Sequence, residues 1–409
     1  MAPFDPRPYP LINRIQPYAW GARGQDAFIP RLLGIAAEAD TPYAELWMGA
    51  HPNAPSQVVV DGEQVSLRQL IARYPREILG EAVAERFSGE LPFLFKVLST
   101  AEALSIQAHP TKEQARSLHA QDPEHYPDDN HKPELAVALD SLTALVGFKP
   151  FPDVLWTLEQ YPELADFIGA EVVDGTKDAR EAPPQEQQAF LRALYATLIA
   201  RSVAHAGELA AATGRLAERL NTGAAQEEDR LFLDLRQKYS GADAGLFTIF
   251  LLNLVHLEAG QGLFIKADIP HAYLKGNIVE CMANSDNVVR AGLTPKFKDV
   301  ETLVDILTYE MGPPPIIEGD ANAAEIVYQT PVDEFQVSRL RMQPGQERAE
   351  LIDGGPQIML ITAGDVLIGW EGGEAAFGRG QSVLLPAFLG GFGLKATASS
   401  ELFRVQVPR

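Results

Sequence analysis

The stretch LSIQAHP, residues 104–110, alternates apolar residues with Ser105, Gln107 and His109. Successive side chains of a β-strand point to opposite faces, so these three polar side chains are expected to share one face. If that face looks into a barrel, each unpaired polar group costs about 1 to 3 kcal/mol. A bound metal ion would satisfy at least two of the three groups.

Two further segments carry residues that could complete such a metal site. Glu134 closes the segment DDNHKPE, residues 128–134, and His271 follows Pro270 far downstream. Two imidazoles, one carboxylate and the amide oxygen of Gln107 suit zinc, and they leave room for a water or a substrate oxygen. A Gln-x-His pair on a strand also occurs as an ordinary hydrogen-bonded core pair. The spacing alone therefore leaves a metal site and a structural pair both open.

The pattern of apolar runs divides the chain into parts of different character. Up to about residue 150, short apolar runs alternate with Gly, Pro, Asn and Asp, which indicates strands mixed with short helices. Between 184 and 220, apolar residues recur at helical spacing, and we predict a helical insertion over 151–258. Strand-like runs then return and continue to the C-terminus.

A short internal likeness connects the two strand-rich parts. Residues 260–265 read GQGLFI and lead to Pro270, while residues 380–386 read GQSVLLP. Both fit a turn that feeds a buried strand ending near a proline. We therefore predict a mainly β fold with two jelly-roll or β-barrel modules and an inserted α-helical domain. Only the first copy has a His after its Pro, so the chemistry is expected in the first module.

The charge and composition exclude several classes of partner. The 409 residues carry a formal net charge of −21, which argues against nucleic acid and against anionic membranes. A single cysteine, Cys281, fits a reducing compartment, and no stretch approaches the roughly 18 apolar residues of a membrane span. We expect a cytoplasmic, unprocessed monomer whose partner is a small molecule. An anionic substrate would need a local cluster of Lys and Arg.

Several blocks of the sequence resemble the signature segments of type I mannose-6-phosphate isomerases, and they occur in that family's order. The segments are distributed between residue 15 and about residue 300, whereas the helical middle and the last hundred residues are similar only in kind. They are IQPYAWG at 15–21, AELWMGAHP at 44–52, LPFLFKVL at 91–98, LSIQAHP at 104–110, DDNHKPE at 128–134 and VECMANSDNVVRAGLTPKF at 279–297.

The resemblance implies a cupin-type fold that binds one zinc ion per chain. It makes residues 1–150 together with 259–319 the catalytic cupin module, and 320–409 a C-terminal cupin-like module. The zinc ligands it implies are all present here, which argues against a relative that has lost catalysis. They are Gln107, His109, Glu134 and His271.

The implied reaction is the reversible isomerisation of mannose 6-phosphate and fructose 6-phosphate through a zinc-stabilised cis-enediol. Such a reaction needs a base whose pKa lies towards neutrality. Glu280 is our first choice, and His131 and Lys132 are the alternatives. Arg290 resembles the family's active-site arginine and could stabilise the enediolate or hold the substrate.

The demand for local positive charge is met within the signature segments, although the sequence does not decide which group contacts the phosphate. Tyr273 would share a strand face with His271 and line the pocket. No P-loop motif occurs, so backbone cradling of a nucleotide is not supported. The candidate phosphate and substrate contacts are Lys96, Ser105, Lys132, Arg290, Lys296 and Lys298.

Three other functions were weighed against this one. A bifunctional enzyme that also transfers a nucleotide would need a longer chain and a nucleotide-binding motif. A cupin oxygenase with iron would use two His and a carboxylate without the added Gln107 and the basic residues. A cupin-type sugar-binding protein without turnover would be favoured by loss of any of the four ligands, and none is lost.

Overall fold

Strands dominate both ends of the chain. The computed structural model describes residues 4–239, 241–320 and 323–408. The strands are β1 Tyr9–Pro10, β2 Arg14–Gln16, β3 Ala22–Arg23, β4 Pro42–Tyr43, β5 Glu45–Gly49, β6 Gln57–Val60, β7 Glu63–Ser66, β8 Phe93–Thr100, β9 Ile106–Ala108, β10 Glu134–Phe148, β11 Leu252–Leu257, β12 Gly262–Ile265, β13 His271–Ala283, β14 Val289–Gly292, β15 Ile316–Ile317, β16 Glu325–Tyr328, β17 Gln336–Met342, β18 Glu347–Leu351, β19 Gln357–Ala363, β20 Asp365–Trp370, β21 Gly373–Gly378, β22 Ser382–Leu385, β23 Gly391–Ala396 and β24 Ser400–Gln406.

Helices are concentrated in the middle of the chain. Short 3-10 helices lie at Ala179–Glu181 and Ala387–Leu389. The α-helices are α1 Phe28–Leu33, α2 Leu67–Arg73, α3 Pro75–Leu79, α4 Glu81–Arg86, α5 Lys112–Gln121, α6 Phe151–Gln160, α7 Pro162–Ile168, α8 Ala170–Asp178, α9 Pro184–Ala204, α10 Ala206–Asn221, α11 Glu227–Lys238, α12 Gly245–Thr248 and α13 Val300–Ile306.

The larger sheet is antiparallel, and its main path runs β15-β12-β10-β13-β8-β5-β2. Strand β13 lies between β10 and β8, although β8 and β10 come much earlier in the chain. Strand β9 pairs with both β13 and β14, and β11 pairs with β10. The segments that carry the candidate site residues are therefore neighbours in one sheet.

The β10–β13 pair folds back on itself. Glu134 is opposite Met282 at one end of the pair, and Val146 is opposite His271 at the other. A straight strand would separate residues 134 and 146 by roughly 40 Å. Yet a carboxylate oxygen of Glu134 lies 3.4 Å from Nε2 of His271. Irregular register beside Gly276, whose φ is 135°, marks the bend. The two halves of one strand pair thus form facing walls.

Successive side chains in the first half of β10 point alternately into two different hydrophobic cores. Leu135 and Val137 pack with Tyr328 and other side chains of the C-terminal part. Ala136 and Ala138 face the opposite side and belong to the core between the facing walls. Because these two inward residues are small, the walls can enclose space beside Glu134.

The helices pack on the outside of this strand pair. In α9, Leu191, Leu194 and Leu198 are fully buried, as their helical spacing predicted, and they share a core with Leu145 and Phe148 of β10. The strands predicted among the short apolar runs before about residue 150 are also confirmed, for example by β6, β8 and β10.

The C-terminal part is built from two antiparallel sheets. One has the order β1-β22-β19-β24-β17-β16, the other β18-β23-β20-β21, and a separate apolar core joins them. Both copies of the internal likeness form strands, β12 and β22, in different sheets. Within the described residues no sheet closes on itself, so the predicted closed barrels are not observed. The many helices also give the protein a larger helical content than the predicted mainly β fold implies. No helix in this part or elsewhere in the described chain is long and apolar enough to cross a membrane.

Candidate active site

Three buried side chains converge between the facing walls of the larger sheet. His109, Glu134 and His271, hereafter the metal triad, offer ligand atoms that all lie within 4.8 Å of one another. Nε2 of His109 lies 3.2 Å from Oε1 of Glu134, and Nε2 of His271 lies 3.4 Å from Oε2. Each residue is about 1% exposed.

The tautomers of the two imidazoles follow from their other contacts. Nδ1 of His109 lies 2.7 Å from the carbonyl oxygen of Asn287, and Nδ1 of His271 lies 3.0 Å from that of Ile269. A carbonyl can only accept, so each Nδ1 carries the proton and each Nε2 presents a lone pair. Both Nε2 atoms are buried, and neither has a hydrogen-bond partner among the residues that the structure describes.

This arrangement fits a metal ion. Two nitrogen lone pairs that face carboxylate oxygens are acceptors facing acceptors, which is unfavourable unless a cation lies among them. Tetrahedral zinc with ligands at about 2.0 to 2.1 Å places neighbouring ligand atoms roughly 3.4 Å apart. The 3.2 and 3.4 Å separations in the metal triad match that spacing.

The charges around the metal triad suit metal binding. Burial and then the charge of Lys132 lower the pKa of His109 to about 4, so the ring is neutral at pH 7. Burial acts to raise the pKa of Glu134, but the charge of Lys132, whose Nζ lies 3.2 Å away, holds it well below its usual value. Tyr273 donates a hydrogen bond to Glu134 at 3.3 Å, and burial raises the pKa of this phenol.

A second buried group of charges lies on the adjacent strands. Glu280 of β13 is directly opposite Lys96 of β8, and the ammonium donates to its carboxylate at 2.9 Å. Burial raises the pKa of Glu280, against the opposing charge of Lys96. The same Lys96 lies 3.6 Å from Glu45, which also accepts a hydrogen bond from Trp47. Glu280 is thus a buried acid with an upward-shifted pKa beside two further charged groups.

Glu45 is a site residue that the sequence reasoning missed. It lies within the segment AELWMGAHP, which was recognised only as a block. Every residue of β5 is buried, so a glutamate within it needs an internal partner. An acidic residue inside an otherwise apolar strand was the available signal.

Gln107 and Arg290 lie beside the metal triad through strand pairing. Gln107 of β9 is directly opposite His271 of β13 and also opposite Arg290 of β14. The amide oxygen of Gln107 accepts from the hydroxyl of Ser105 at 3.4 Å. Arg290 is half-buried, and burial lowers its pKa. Three of the predicted residues are therefore brought to one edge of the site.

Two of the predicted residues are engaged elsewhere or exposed. Nε2 of His131 lies 2.7 Å from Glu334, a buried residue of the C-terminal part. Lys296 is exposed in the segment that follows β14, where its backbone N–H donates to Thr294.

The fold and the site define a metal-binding enzyme with a buried acid on β13, the strand that also carries His271. The sequence model of the family described as phosphomannose isomerase type I, catalytic domain, matches residues 9–151 of this chain. A mannose-6-phosphate isomerase of Rattus norvegicus is 39% identical over 403 residues, covering 94% of each chain. One from Schizosaccharomyces pombe is 37% identical over 385 residues, covering 90% of this chain and 92% of the relative.

Solved structures agree. A point mutant of phosphomannose isomerase from Salmonella typhimurium superposes with a TM-score of 0.86 at 34% identity, covering 98% of this chain and 99% of the other. A mannose 6-phosphate isomerase bound with zinc and yttrium gives a TM-score of 0.85 at 34% identity, covering 98% and 100%. The chain belongs to the type I phosphomannose isomerase family.

Proposed function

We propose that this protein interconverts mannose 6-phosphate and fructose 6-phosphate as a zinc-dependent aldose–ketose isomerase. The observation that carries the proposal is the metal triad, in which two unpartnered imidazole nitrogens face one carboxylate. A buried glutamate with a raised pKa lies on the same strand, β13, as His271. Metal and base are the two components that this reaction needs.

His109, Glu134 and His271, with Gln107 as the fourth ligand, hold the single zinc ion in this proposal. When bound, zinc supplies Lewis acidity that polarises the sugar carbonyl and stabilises the negative charge of the cis-enediol stage. Tyr273 and Lys132 orient Glu134 through their contacts with its carboxylate.

Glu280 is the base that moves the proton between the first and second sugar carbons. Its raised pKa brings it closer to neutrality, where a carboxylate accepts and returns a proton most efficiently. Lys96 holds the carboxylate in place at 2.9 Å. Lys132 stays an alternative for this base.

His131 ranks below Glu280 as the base. Its Nε2 atom contacts Glu334 at 2.7 Å, so this nitrogen is engaged away from the metal triad. We assign His131 to holding the segment that carries Lys132 and Glu134.

The substrate phosphate is bound by cations and hydroxyls at the mouth of the site. Arg290 retains its charge at any accessible pH and lies next to Gln107 on the neighbouring strand. Ser105 supplies a hydroxyl, and Lys296 supplies a charge that is free to move towards the substrate. Tyr273 lines the inner wall of the site, and the ammonium group of Lys96 adds a further positive charge that attracts the phosphate.

The domain division predicted from the sequence is part of the same proposal. Residues 1–150 with 259–319 form the catalytic cupin module, 151–258 the helical insertion and 320–409 the cupin-like C-terminal module. Facing walls made by bent antiparallel strands support a cupin interpretation. A cytoplasmic location, a monomer and the absence of a nucleic-acid partner stay predictions from composition.

A cupin-type sugar-binding protein without turnover is the alternative, and it is not favoured. The complete ligand set and the buried Glu280 would be unnecessary for binding alone. The decisive experiment combines metal analysis with proton exchange from solvent into mannose 6-phosphate. We expect one zinc per chain and exchange that a chelator abolishes and zinc restores. Turnover that survives complete removal of metal would contradict the proposal.

The role of Glu280 is tested by Glu280→Gln, which keeps the shape and removes the base. We expect turnover to fall by about 10²- to 10⁴-fold, because general base catalysis contributes that much. Zinc content should stay at the wild-type value. Glu258→Gln, at an exposed glutamate, is the matched control. Near-normal turnover in Glu280→Gln would assign the base to Lys132 or His131 instead.

A further inference from the structure

Two loops next to the metal triad are joined by a dense set of hydrogen bonds. We call residues 128–130 together with 284–287 the clasp. The side-chain amide of Asn287 donates to the backbone oxygen of Asp128 at 2.7 Å, to its Oδ1 at 3.1 Å and to the backbone oxygen of Asn130 at 3.0 Å. Asn287 is fully buried. The clasp is therefore organised around one buried amide.

The carboxylate of Asp128 is the other centre of the clasp. Its Oδ2 accepts the backbone N–H of Asp286 at 2.7 Å, and its Oδ1 accepts the backbone N–H of Asn130 at 3.0 Å. Ser285 contributes a hydroxyl that donates to the oxygen of Asn130 and accepts from the N–H of Asn287, both at 3.1 Å. Both oxygens of Asp128 are thus used, and each holds a backbone group.

The clasp lies between the site residues in sequence and in space. Residues 128–130 lead into Lys132 and Glu134, while residues 284–287 connect β13, with Glu280, to β14, with Arg290. The backbone oxygen of Asn287 accepts the Nδ1 proton of His109 at 2.7 Å. The position of that oxygen depends on the loop that Asp128 holds.

We propose that Asp128 is a positioning residue for the metal ligand His109, acting through Asn287. A ligating imidazole is fixed in orientation by the partner of its other nitrogen, and loss of such a partner weakens metal binding. For His109 this partner is a backbone carbonyl in a loop, so the clasp performs the orienting function that a carboxylate performs elsewhere. The inference rests on the metal site of the proposed function.

The test uses Asp128→Asn on the zinc-loaded protein. The amide group retains one acceptor but places an NH₂ group against a backbone N–H of the clasp, which breaks at least one bond without changing volume. Asp129→Asn is the matched control, because Asp129 is the exposed neighbour and loses the same charge. Zinc release to an excess of chromogenic chelator is followed with time. Cobalt-substituted samples report ligand geometry in their visible spectra.

We expect Asp128→Asn to release zinc about 10- to 100-fold faster than the wild type, with an altered cobalt spectrum. Asp129→Asn should match the wild type in both. Release from Asp128→Asn at the wild-type rate would overturn the inference, even if its Tm were lower, because a merely structural clasp would lower Tm alone. Absence of zinc from the wild-type protein would instead contradict the proposed function.

A milder variant keeps the test decisive if Asp128→Asn does not fold. Ser285→Ala removes the two hydrogen bonds of the hydroxyl and leaves Asp128 intact. We expect several-fold faster zinc release than in the wild type. An unchanged release rate and cobalt spectrum in folded Ser285→Ala would count against a role of the clasp in metal binding.

Discussion

Two charged clusters, one in each strand-rich part, differ in how their polar atoms are satisfied. In the C-terminal part, Arg404 and Arg348 contact Glu325 and Glu350 in a closed ring with N–O distances of 2.5 to 2.9 Å. This Arg404 cluster holds two positive and two negative charges. The metal triad instead has two Nε2 atoms without a partner.

The difference shows what marks a functional site in this molecule. Both clusters gather charged groups at least partly shielded from solvent, so charge and shielding alone do not identify a site. The Arg404 cluster balances its own charges and needs nothing further, which is the pattern of a structural network. The metal triad leaves two imidazole lone pairs that converge with a carboxylate, which is the arrangement in which a metal ion is bound.

The strongest test of the comparison is His271→Ala. It removes one of the converging lone pairs, so we expect loss of tight zinc binding and more than about a 100-fold loss of turnover, since even outer partners of ligands cost 10- to 100-fold. Metal content and the isomerase rate are measured together. His256→Ala, at an exposed histidine of β11, should change neither. Full zinc content in His271→Ala would show that the metal lies elsewhere.

A smaller effect is expected from Glu325→Gln in the Arg404 cluster. The change leaves two arginines with one carboxylate, and we expect the free energy of unfolding to fall by about 2 kcal/mol. This is less than for a fully buried ion pair, because the cluster is partly exposed to solvent. Denaturant unfolding gives the number. Zinc content and turnover of the folded variant should equal those of the wild type. Faster zinc release would remove the distinction between the two clusters.

The smallest effect concerns the contact between the two parts, His131 with Glu334. We expect Glu334→Gln to lower the free energy of unfolding by about 1 kcal/mol at pH 7, with turnover within about threefold of the wild type. Burial acts to raise the pKa of Glu334, but His131 holds it below its usual 4.5. The folded protein therefore binds that proton more weakly than the unfolded chain, and the contribution is present above about pH 4.5 and disappears as the pH falls further.

The pH dependence separates this contact from general destabilisation. Wild type and Glu334→Gln should approach each other in stability as the pH is lowered below 4.5. Asp333→Asn is the neighbouring control, because Asp333 is exposed and contacts Arg86 on the surface. If Glu334→Gln lost as much turnover as is expected for Glu280→Gln, His131 would have to be assigned a direct part in the reaction.

The residues of the metal triad could be predicted because the segments around them resemble those of a known family, whereas local spacing alone left a metal site and a structural pair both open. His109 directly follows β9, and Glu134 and His271 each begin a strand. The fold-back of β10 and β13 could not be predicted, because it depends on irregular register at a bend between distant segments. Closed barrels were expected and open sheets are observed, since alternation specifies a buried face but not closure.

The residues that contact each charged side chain also could not be predicted from the sequence. His131 was an alternative to Glu280 as the base, and only the fold shows that Glu334, 203 positions away, contacts its Nε2. Lys96 was assigned only to a group of cations, whereas the register of β8 and β13 places it against Glu280. Such pairings depend on which strands are neighbours, and pattern analysis of one segment does not contain that information.

The place of β13 between β8 and β10 has a consequence for biosynthesis. Strands β8 and β10 are synthesised long before residues 271–283. Until β13 is made, the edges of β8 and β10 that will pair with it have no partner strand. Unpaired edges of this kind are prone to aggregation. His271 arrives with the missing strand, so the metal triad is complete only once the strand that fills the sheet has been made.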